Sequence, residues 1–386
     1  MQGYFIITWI VTFFSIIKKN KLNLFVNKLF LCLTILIFGF AYQYNVDWLN
    51  YEAAYLGKLK LDDVLYEVLM KIGNSLEINY WYFQFIIVSF SILIYFKMLN
   101  KLDRKNFFLI FLANFPSFYT LNSGTIRQNL AIIFCYLFLL IEKSYLKYIF
   151  LIASIFIHKT SIIFIFVYML FFITKRIKLN KNIMKFILII IIISFIFLIL
   201  PKIKIYRIFY PVFNIIPNEF IRDKLLYNLS RILTFPKRFN NRVFLKNIEM
   251  LAFISIFYYK KVKIQRENRF YFVATFSYIF INSFFNLEVT FLRIGLYFEI
   301  FYYYFFINSM LKIKPKLIIK IILYCYFLFI SVFSYPTGVK YQYFNYIIHK
   351  EFLGIMNPRE NWVRQWWRAR KDPEKQQQLL EMEIKK

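Results

Sequence analysis

The stretch IMKFILIIIIISFIFLIL, residues 183–200, carries one charged side chain, Lys185, among 18 residues. A helix needs about 20 consecutive apolar residues to cross the bilayer core, and similar runs recur along the chain. Of the 386 residues 60% are hydrophobic, including 51 Phe and 31 Tyr. Because the runs are continuous and lipid cannot pair exposed backbone amides, the spans are predicted to be α-helices. The predicted fold class is an all-α, polytopic integral membrane protein.

Apolar runs bounded by charged residues predict about twelve transmembrane helices. The predicted spans are 3–17, 24–41, 79–96, 106–121, 127–141, 145–157, 160–174, 183–200, 244–259, 270–286, 291–310 and 317–334. They form a membrane domain over residues 1–350, which a polar, basic tail follows at 351–386. Two long external segments, 42–78 and 201–243, interrupt the regular alternation of spans and short loops.

The orientation of the chain follows from its basic residues. Six alternate short loops hold 24 of the 50 basic residues, for example Lys97, Lys101, Arg104 and Lys105 after the third span, whereas the opposite short loops hold almost none. Cytoplasmic loops carry such an excess, so the N-terminus and the segment 42–78 are predicted to lie outside. Membrane orientation thus explains much of the net charge of +30, and no nucleic-acid partner is predicted. An even number of spans leaves the basic tail outside, against this bias, so one missed or additional span near the C-terminus stays open.

The two external segments differ in charge. Residues 42–78 hold six acidic residues, whereas residues 201–243 hold nine basic residues and two acidic ones. Long loops translocate largely regardless of charge, so the basic segment does not overturn the predicted orientation. An anionic partner is expected for the basic segment.

Ionisable side chains near span ends are the candidate site residues, because a charge at the bilayer centre costs about 2.5–3.5 kcal/mol. In chain order they are Asp47, Arg127, His158, Lys159 and Arg293, and the predicted topology puts all of them on the external face. A cation at a helix N-terminus is opposed by the helix dipole, which favours a functional reason for Arg127. Each also has a structural alternative: Asp47 can be a solvated loop residue, and His158 can be a hydrogen-bonded turn residue.

Motifs for nucleotide, zinc or serine-hydrolase chemistry do not occur in the chain, and its three cysteines share no short spacing. No cofactor and no metal are therefore predicted. Guanidinium groups bind phosphate oxygens bidentately, so several arginines beside a carboxylate and an imidazole favour a phosphate-bearing ligand.

Five segments resemble the EpsG family, relatives of the Wzy-type bacterial polysaccharide (O-antigen) polymerases. They are NVDWLNYEAAY (45–55), LYEVLMKIGNSLEINYWYFQFIIVSFSILI (65–94), GTIRQNLAIIFCYLFLL (124–140), ASIFIHKTSIIFIF (153–166) and FLRIGLYFEI (291–300). Their order is similar to the family's Asp-and-Tyr segment, Arg-Gln-x-x-Ala helix start, His-Lys/Ser turn and Arg-x-x-x-Tyr segment, over about residues 25–335. Ala41 and Asn45 stand where the family usually has an arginine and a glycine, which weakens the case for a phosphate contact from the first segment.

The resemblance implies a polymerase without a cofactor. It would transfer a growing glycan from one undecaprenyl-pyrophosphate carrier to the non-reducing end of a lipid-linked repeat unit, at the periplasmic face of the bacterial inner membrane. The expected partners are these lipid-linked glycans and the membrane itself, with a chain-length regulator protein as a further candidate.

The arginines are predicted to stabilise the pyrophosphate leaving group. Arg127 and Arg293 form the predicted clamp, assisted from the long basic segment by Arg207, Arg222, Arg231 or Arg238. Tyr51, Gln128 and Lys159 are the further predicted substrate contacts. His158 is slightly favoured as the base and Asp47 as the group that orients the acceptor, although the two roles can be exchanged.

Two other classes remain open from the sequence. A lipid-linked oligosaccharide flippase would also have about twelve spans, but its cations are expected around a central cavity and not at one face. An O-antigen ligase or a membrane acyltransferase of the same pathway is the other alternative.

Overall fold

The computed structural model describes residues 2–17, 23–42, 46–57, 61, 63–123, 125–142, 144–174, 210–211, 214–215, 217, 222, 248–256, 268–283, 293–313, 315–333 and 347–348. The helices are α1 (Gln2–Ile17), α2 (Asn23–Gly39), α3 (Val46–Tyr55), α4 (Val64–Ser75), α5 (Tyr80–Asp103), α6 (Phe107–Ser123), α7 (Ile126–Leu140), α8 (Lys147–Ile157), α9 (Ile162–Thr174), α10 (Arg269–Ser283), α11 (Glu299–Met310) and α12 (Lys316–Phe333). A 3₁₀ turn, Lys159–Ser161, joins α8 to α9, and residues 248–256 are also helical.

Most predicted spans within the described residues match a helix to within about two residues at each end. Two differ: α5 extends to Asp103, beyond the predicted end at 96. The span predicted at 291–310 is interrupted by a turn at 296–298, so that α11 begins at Glu299. The span predicted at 183–200 lies outside them. In the described part of the chain α5 is long and apolar enough to cross a membrane. Shorter apolar helices are Val26–Gly39, Phe107–Asn122, Ile126–Leu140, Lys147–Ile157 and Lys159–Phe172. The all-helical class is confirmed, whereas the number of twelve spans stays a prediction.

The segment 42–78, predicted as a long loop, contains the helices α3 and α4. One face of α4 is buried through Tyr66, Met70 and Gly73, which lie at helical spacing. A Cβ on Gly73 would lie 2.9 Å from the Tyr55 hydroxyl of α3 and 2.8 Å from the Phe83 ring of α5. The missing side chain therefore lets α4 pack closely against both helices.

Hydrogen bonds fix the end of α4. The Tyr55 hydroxyl donates to the Ile78 carbonyl at 2.5 Å, and the Asn74 amide donates to the Tyr55 carbonyl at 3.2 Å. Glu77 adopts a left-handed φ of 56°, and the Ile78 N–H donates back to the Gly73 carbonyl at 3.1 Å. This pattern is a Schellman C-cap, which satisfies the last carbonyls of the helix and redirects the chain into α5.

Aromatic side chains fill the core around α6. The Phe111 ring centroid lies 5.3 Å from that of Phe30 in α2, 5.5 Å from Phe96 in α5 and 5.0 Å from Phe118. The α6–α7 connection is fixed from within, since the buried Asn129 amide donates to the Asn122 side-chain oxygen at 2.9 Å. α7 in turn packs against α5 and α8. The start of α7 is thereby held in a rigid frame.

Two carboxylates are buried among the later helices. The Tyr278 hydroxyl donates to Glu299 at 3.1 Å, and the Tyr326 hydroxyl donates to Glu249 at 2.8 Å. Buried carboxylates require such donors. The sequence did not single out either glutamate.

A two-residue antiparallel pair is the non-helical element of the described chain. Ala41–Tyr42, directly after α2, pairs with Ile347–Ile348, with Ala41 opposite Ile348. The chain beyond α12 therefore returns to the end of α2.

Candidate functional site

Arg127 is the second residue of α7 and forms the centre of the candidate site. Its guanidinium makes an ion pair with Asp63, whose side chain is 8% exposed. The same guanidinium lies over the Tyr51 ring, with its Cζ atom 5.1 Å from the ring centroid. Tyr51 itself is buried in α3. The carboxylate and the aromatic ring both stabilise a cation that the helix dipole opposes at this position.

Asp63 belongs to the candidate site, although the sequence pattern did not predict it. It stands at the N-cap position of α4, yet its side chain makes no capping hydrogen bond to that helix. N-cap aspartates usually accept from the first turn, so the carboxylate is used for Arg127 instead. The available signal was an Asp-Asp pair, Asp62 and Asp63, before an amphipathic stretch. Pairing with Arg127 depends on the tertiary fold, which no local pattern encodes.

His158 occupies the turn between α8 and α9. Its Nδ1 accepts a hydrogen bond from the Thr160 backbone N–H at 3.3 Å and lies 2.8 Å from the Thr160 hydroxyl. That hydroxyl lies 3.1 Å from the Tyr297 hydroxyl. Burial lowers the pKa of His158, the charges of Arg127 and Arg293 lower it further, and Asp63 acts against them. The ring is therefore neutral near pH 7.

Gln128 and Arg293 are joined directly. The Gln128 side-chain amide, which is buried, donates to the Arg293 carbonyl at 2.5 Å. The Arg293 side chain is exposed, and its charge acts on His158. The structure thus brings together Arg127, Gln128, His158 and Arg293, with Lys159 exposed in the turn beside His158.

Several buried polar atoms of this region have no hydrogen-bond partner among the described residues. They are Thr125 Oγ1, Arg127 Nε, Gln128 Oε1 and Ser161 Oγ. Buried polar groups are nearly always paired, so a ligand or water can complete the hydrogen bonding of these four atoms. Ten further unpaired buried atoms lie elsewhere among the described residues. The start of α7 and the turn after His158 supply all four atoms.

An apolar groove lies next to the polar cluster. Val64, Leu65 and Val68 of α4 line one side, and Ile149, Ile152, Ala153 and Phe156 of α8 line the other. Its volume is about 400 Å³. Val64 directly follows Asp63 in the chain and Phe156 precedes His158 by two residues, so the groove begins at the same helix ends, the start of α4 and the end of α8, that hold these polar groups.

The remaining predicted site residues are not tested by the geometry. Asp47 lies in the first turn of α3, four residues before Tyr51, and its side chain falls outside the described residues. Arg207, Arg231 and Arg238 also fall outside them. Arg222 is helical and partly buried, and its part in the site stays a prediction. No group of acidic, histidine or cysteine side chains suited to a metal ion occurs within the described ranges.

Comparison with known proteins gives one family. No curated protein and no solved structure matches the chain. The EpsG family model matches residues 27–348, which include every element from α3 to α12 and both halves of the two-residue strand pair. This range covers most of the 386 residues and contains all the candidate site residues named above. The chain therefore belongs to the EpsG family of Wzy-like polysaccharide polymerases.

Proposed function

We propose that this protein polymerises a surface polysaccharide. It transfers a glycan from one undecaprenyl-pyrophosphate carrier to the non-reducing end of a lipid-linked repeat unit, at the external face of the bacterial inner membrane. The observation that carries the proposal is the Arg127–Asp63 cluster, with its unpaired buried polar atoms, beside an apolar groove. Membership of the EpsG family supports the class of reaction.

The polar side of the site suits a diphosphate leaving group. In the proposed reaction the acceptor hydroxyl attacks the anomeric carbon, and the bond from that carbon to the diphosphate oxygen breaks. The electron pair leaves with undecaprenyl pyrophosphate, and the hydroxyl proton passes to a base. Arg127 carries an unpaired Nε–H and the exposed Arg293 adds a second guanidinium, so both can stabilise the charge that develops on the leaving group.

The apolar side of the site suits the isoprenoid chain. Seven apolar side chains line the groove between α4 and α8, and one of them, Val64, is next to Asp63 in the chain. A ligand with a charged head and a long apolar tail matches this juxtaposition, whereas a soluble sugar nucleotide has no group for the groove. The groove therefore supports a lipid-linked substrate.

Asp63 adds a third candidate to the two groups that the sequence offered as the base. The proton of the acceptor hydroxyl can pass to Asp47, to Asp63 or to His158. The carboxylate of Asp63 is held close to Arg127, so a proton acceptor and a leaving-group donor lie side by side.

Electrophoresis of surface glycan from a deletion strain tests the proposal. Loss of a polymerase leaves surface core carrying one repeat unit, and complementation with the wild-type gene restores the ladder. Arg127→Ala should fail to restore it at normal protein abundance. Polymer that accumulates on the carrier would indicate a ligase, and single units held inside the cell would indicate a flippase, so either result would overturn the proposal.

The orientation of the site is part of the same proposal. We propose about twelve spans, with the residues around 47, 127, 158 and 293 on the periplasmic side. Engineered cysteines beside these positions should react with an impermeant maleimide in intact spheroplasts. Reaction of some positions only after the inner membrane is opened would contradict a single external site.

A further inference from the structure

The hydrogen bonds around His158 determine where its proton lies. Nδ1 accepts from the Thr160 backbone N–H at 3.3 Å. A backbone N–H can only donate, so Nδ1 carries no proton while this bond exists. In a neutral imidazole one nitrogen accepts and the other donates, and the neutral ring therefore carries its proton on Nε2.

The neighbouring hydroxyls agree with this assignment. Thr160 Oγ1 lies 2.8 Å from Nδ1, and the Tyr297 hydroxyl lies 3.1 Å from Thr160 Oγ1. With Nδ1 as the acceptor, Thr160 donates to His158 and Tyr297 donates to Thr160. Both hydrogen bonds of this network are compatible with an unprotonated Nδ1.

The same geometry leaves Nε2 available. Among the described residues Nε2 has no hydrogen-bond partner, while Nδ1 is occupied by Thr160. The charged groups whose fields reach the ring are Asp63, Arg127 and Arg293. A nitrogen that bears a hydrogen can donate to an anionic oxygen, but it cannot take a proton from an acceptor hydroxyl.

We infer that His158 acts as a neutral hydrogen-bond donor through Nε2–H to the anionic leaving group, and that Thr160 and Tyr297 are positioning residues that fix this tautomer. The inference rests on the proposed polymerase function. It leaves a carboxylate, Asp63 or Asp47, to receive the proton of the attacking hydroxyl. His158 keeps its proton throughout, and the electron pair of the broken bond leaves with the diphosphate as before.

Nitrogen-15 NMR tests the tautomer without depending on catalysis. The chain has two histidines, His158 and His349, so ¹⁵N-histidine labelling of the His349→Gln protein reports His158 alone. We expect an unprotonated Nδ1 and a protonated Nε2 near neutral pH. Thr160→Val should move the Nδ1 resonance, since it removes the hydroxyl donor and keeps the backbone bond. A protonated Nδ1 would overturn the inference and would leave the proposed polymerase function untouched.

Two substitutions of His158 test the chemical role. The Asn side chain of His158→Asn still accepts from the Thr160 N–H but ends before the position of Nε2. In His158→Gln the side-chain amide places an N–H donor close to the position of Nε2. An amide does not take up or release a proton in this pH range. Polymer formation from lipid-linked repeat units, extracted from the deletion strain, would be measured in proteoliposomes across pH.

We expect His158→Asn to lower kcat by about 10²-fold, the usual effect of removing one transition-state donor. His158→Gln should keep most of the activity and the acid limb of the wild-type pH profile. Tyr297→Phe should lower kcat several-fold with little change in KM. Loss of the acid limb in His158→Gln would make His158 the titrating base and overturn the inference. Failure of the wild-type protein to form polymer would instead contradict the proposed function.

Discussion

The ion pair between Arg127 and Asp63 joins a helix start to a helix cap. Arg127 is 25% exposed and Asp63 8%, so the pair is largely removed from solvent. Such pairs are costly to break, because the remaining charge is left buried without a partner. Tyr51 adds a ring face to the guanidinium. A diphosphate could replace the Asp63 carboxylate as the partner of Arg127, so that the guanidinium always has an anionic partner.

A double-mutant cycle measures this pair. Asp63→Asn and Arg127→Gln should each lower the free energy of unfolding by about 2–4 kcal/mol, while the double variant should lose less than the sum. Thermal or denaturant unfolding in detergent provides the values. Lys71→Gln is the matched control, because Lys71 is 72% exposed in its pair with Glu67 on the same α4, and the change should cost below about 0.5 kcal/mol. Strict additivity of the two single changes would contradict the direct pairing.

His158 gives the fold a predictable response to acid. Its pKa is lowered in the folded chain, chiefly by burial, below the ordinary value of about 6.5 that applies to the unfolded chain. As pH falls through that ordinary value the unfolded chain takes up a proton that the folded chain does not, so stability decreases until the lowered pKa is passed. Unfolding temperatures between about pH 8 and pH 5 should therefore fall more steeply for the wild type than for His158→Asn. Equal slopes would exclude a lowered pKa.

The sequence singles out candidate residues that occupy unusual places for charge. Arg127, His158 and Arg293 could be predicted because each interrupts or ends an apolar run, where an ionisable side chain is costly. Asp63 could not, since it follows another aspartate in a polar segment that offers no such contrast. Thr160 and Tyr297 lie within the family-like motifs, but a hydroxyl that contacts a histidine has no sequence signature, so neither could be predicted as a site residue.

At the scale of elements, α4 determines the shape of the site. Its N-cap supplies Asp63, its outer face forms half of the apolar groove, and its inner face packs on α3 and α5. The sequence predicted most apolar helices well, because a long hydrophobic run in a membrane protein is compatible with few structures other than a helix. It missed α4 because the helix is amphipathic and short, and its stability depends on tertiary packing.

Gly73→Ala tests the close packing of α4. In a solvent-exposed helix the change would stabilise by about 0.5–1 kcal/mol, because alanine restricts the unfolded chain. Here the added Cβ would lie under 3 Å from Tyr55 and Phe83, and the Tyr55 hydroxyl is fixed by Ile78. We expect a loss of about 1–3 kcal/mol and reduced polymer. Ser75→Ala, at the exposed end of α4, is the control, and a gain for Gly73→Ala would refute the packing.

Ile152→Trp tests the groove. Ile152 is 55% exposed and lines the groove, so an indole should fill part of it and exclude an isoprenoid chain. We expect a raised KM for the lipid-linked repeat unit with an unchanged unfolding temperature. Phe166→Trp on α9, where Phe166 is 51% exposed, is the matched control and should behave as the wild type. Equal KM values for both variants would remove the groove from the substrate path.

At the scale of the whole molecule, the two-residue strand pair constrains the topology. Tyr42 pairs with Ile347, so the chain after α2 and the chain after α12 lie side by side. In the proposed membrane topology these two segments must therefore lie on the same side of the membrane. Ten predicted spans lie between them, and an even number satisfies this requirement. The strand pairing favours an even number of spans. The basic tail that follows favours an odd number, because the positive-inside bias would place it in the cytoplasm.

Reporter fusions test whether residues 42 and 348 lie on the same side of the membrane. Alkaline phosphatase, which is active only outside the cytoplasm, is joined in frame after residue 42 or after residue 348. Both fusions should be active, and the matching green fluorescent protein fusions should be dark. A fusion after Lys312, in the connection between α11 and α12, is the control and should show the opposite pattern. Opposite compartments for 42 and 348 would contradict the strand pair.

The hydrogen bond from Gln128 to the Arg293 carbonyl has a consequence for biogenesis. The two residues are 165 positions apart, and Tyr297 lies beyond them, so the ribosome must make three quarters of the chain before the site can close. A nascent or prematurely terminated chain would thus carry Gln128 and Thr160 without their later partners, Arg293 and Tyr297. For the proposed polymerase, glycan elongation would therefore begin only after most of the chain has been inserted.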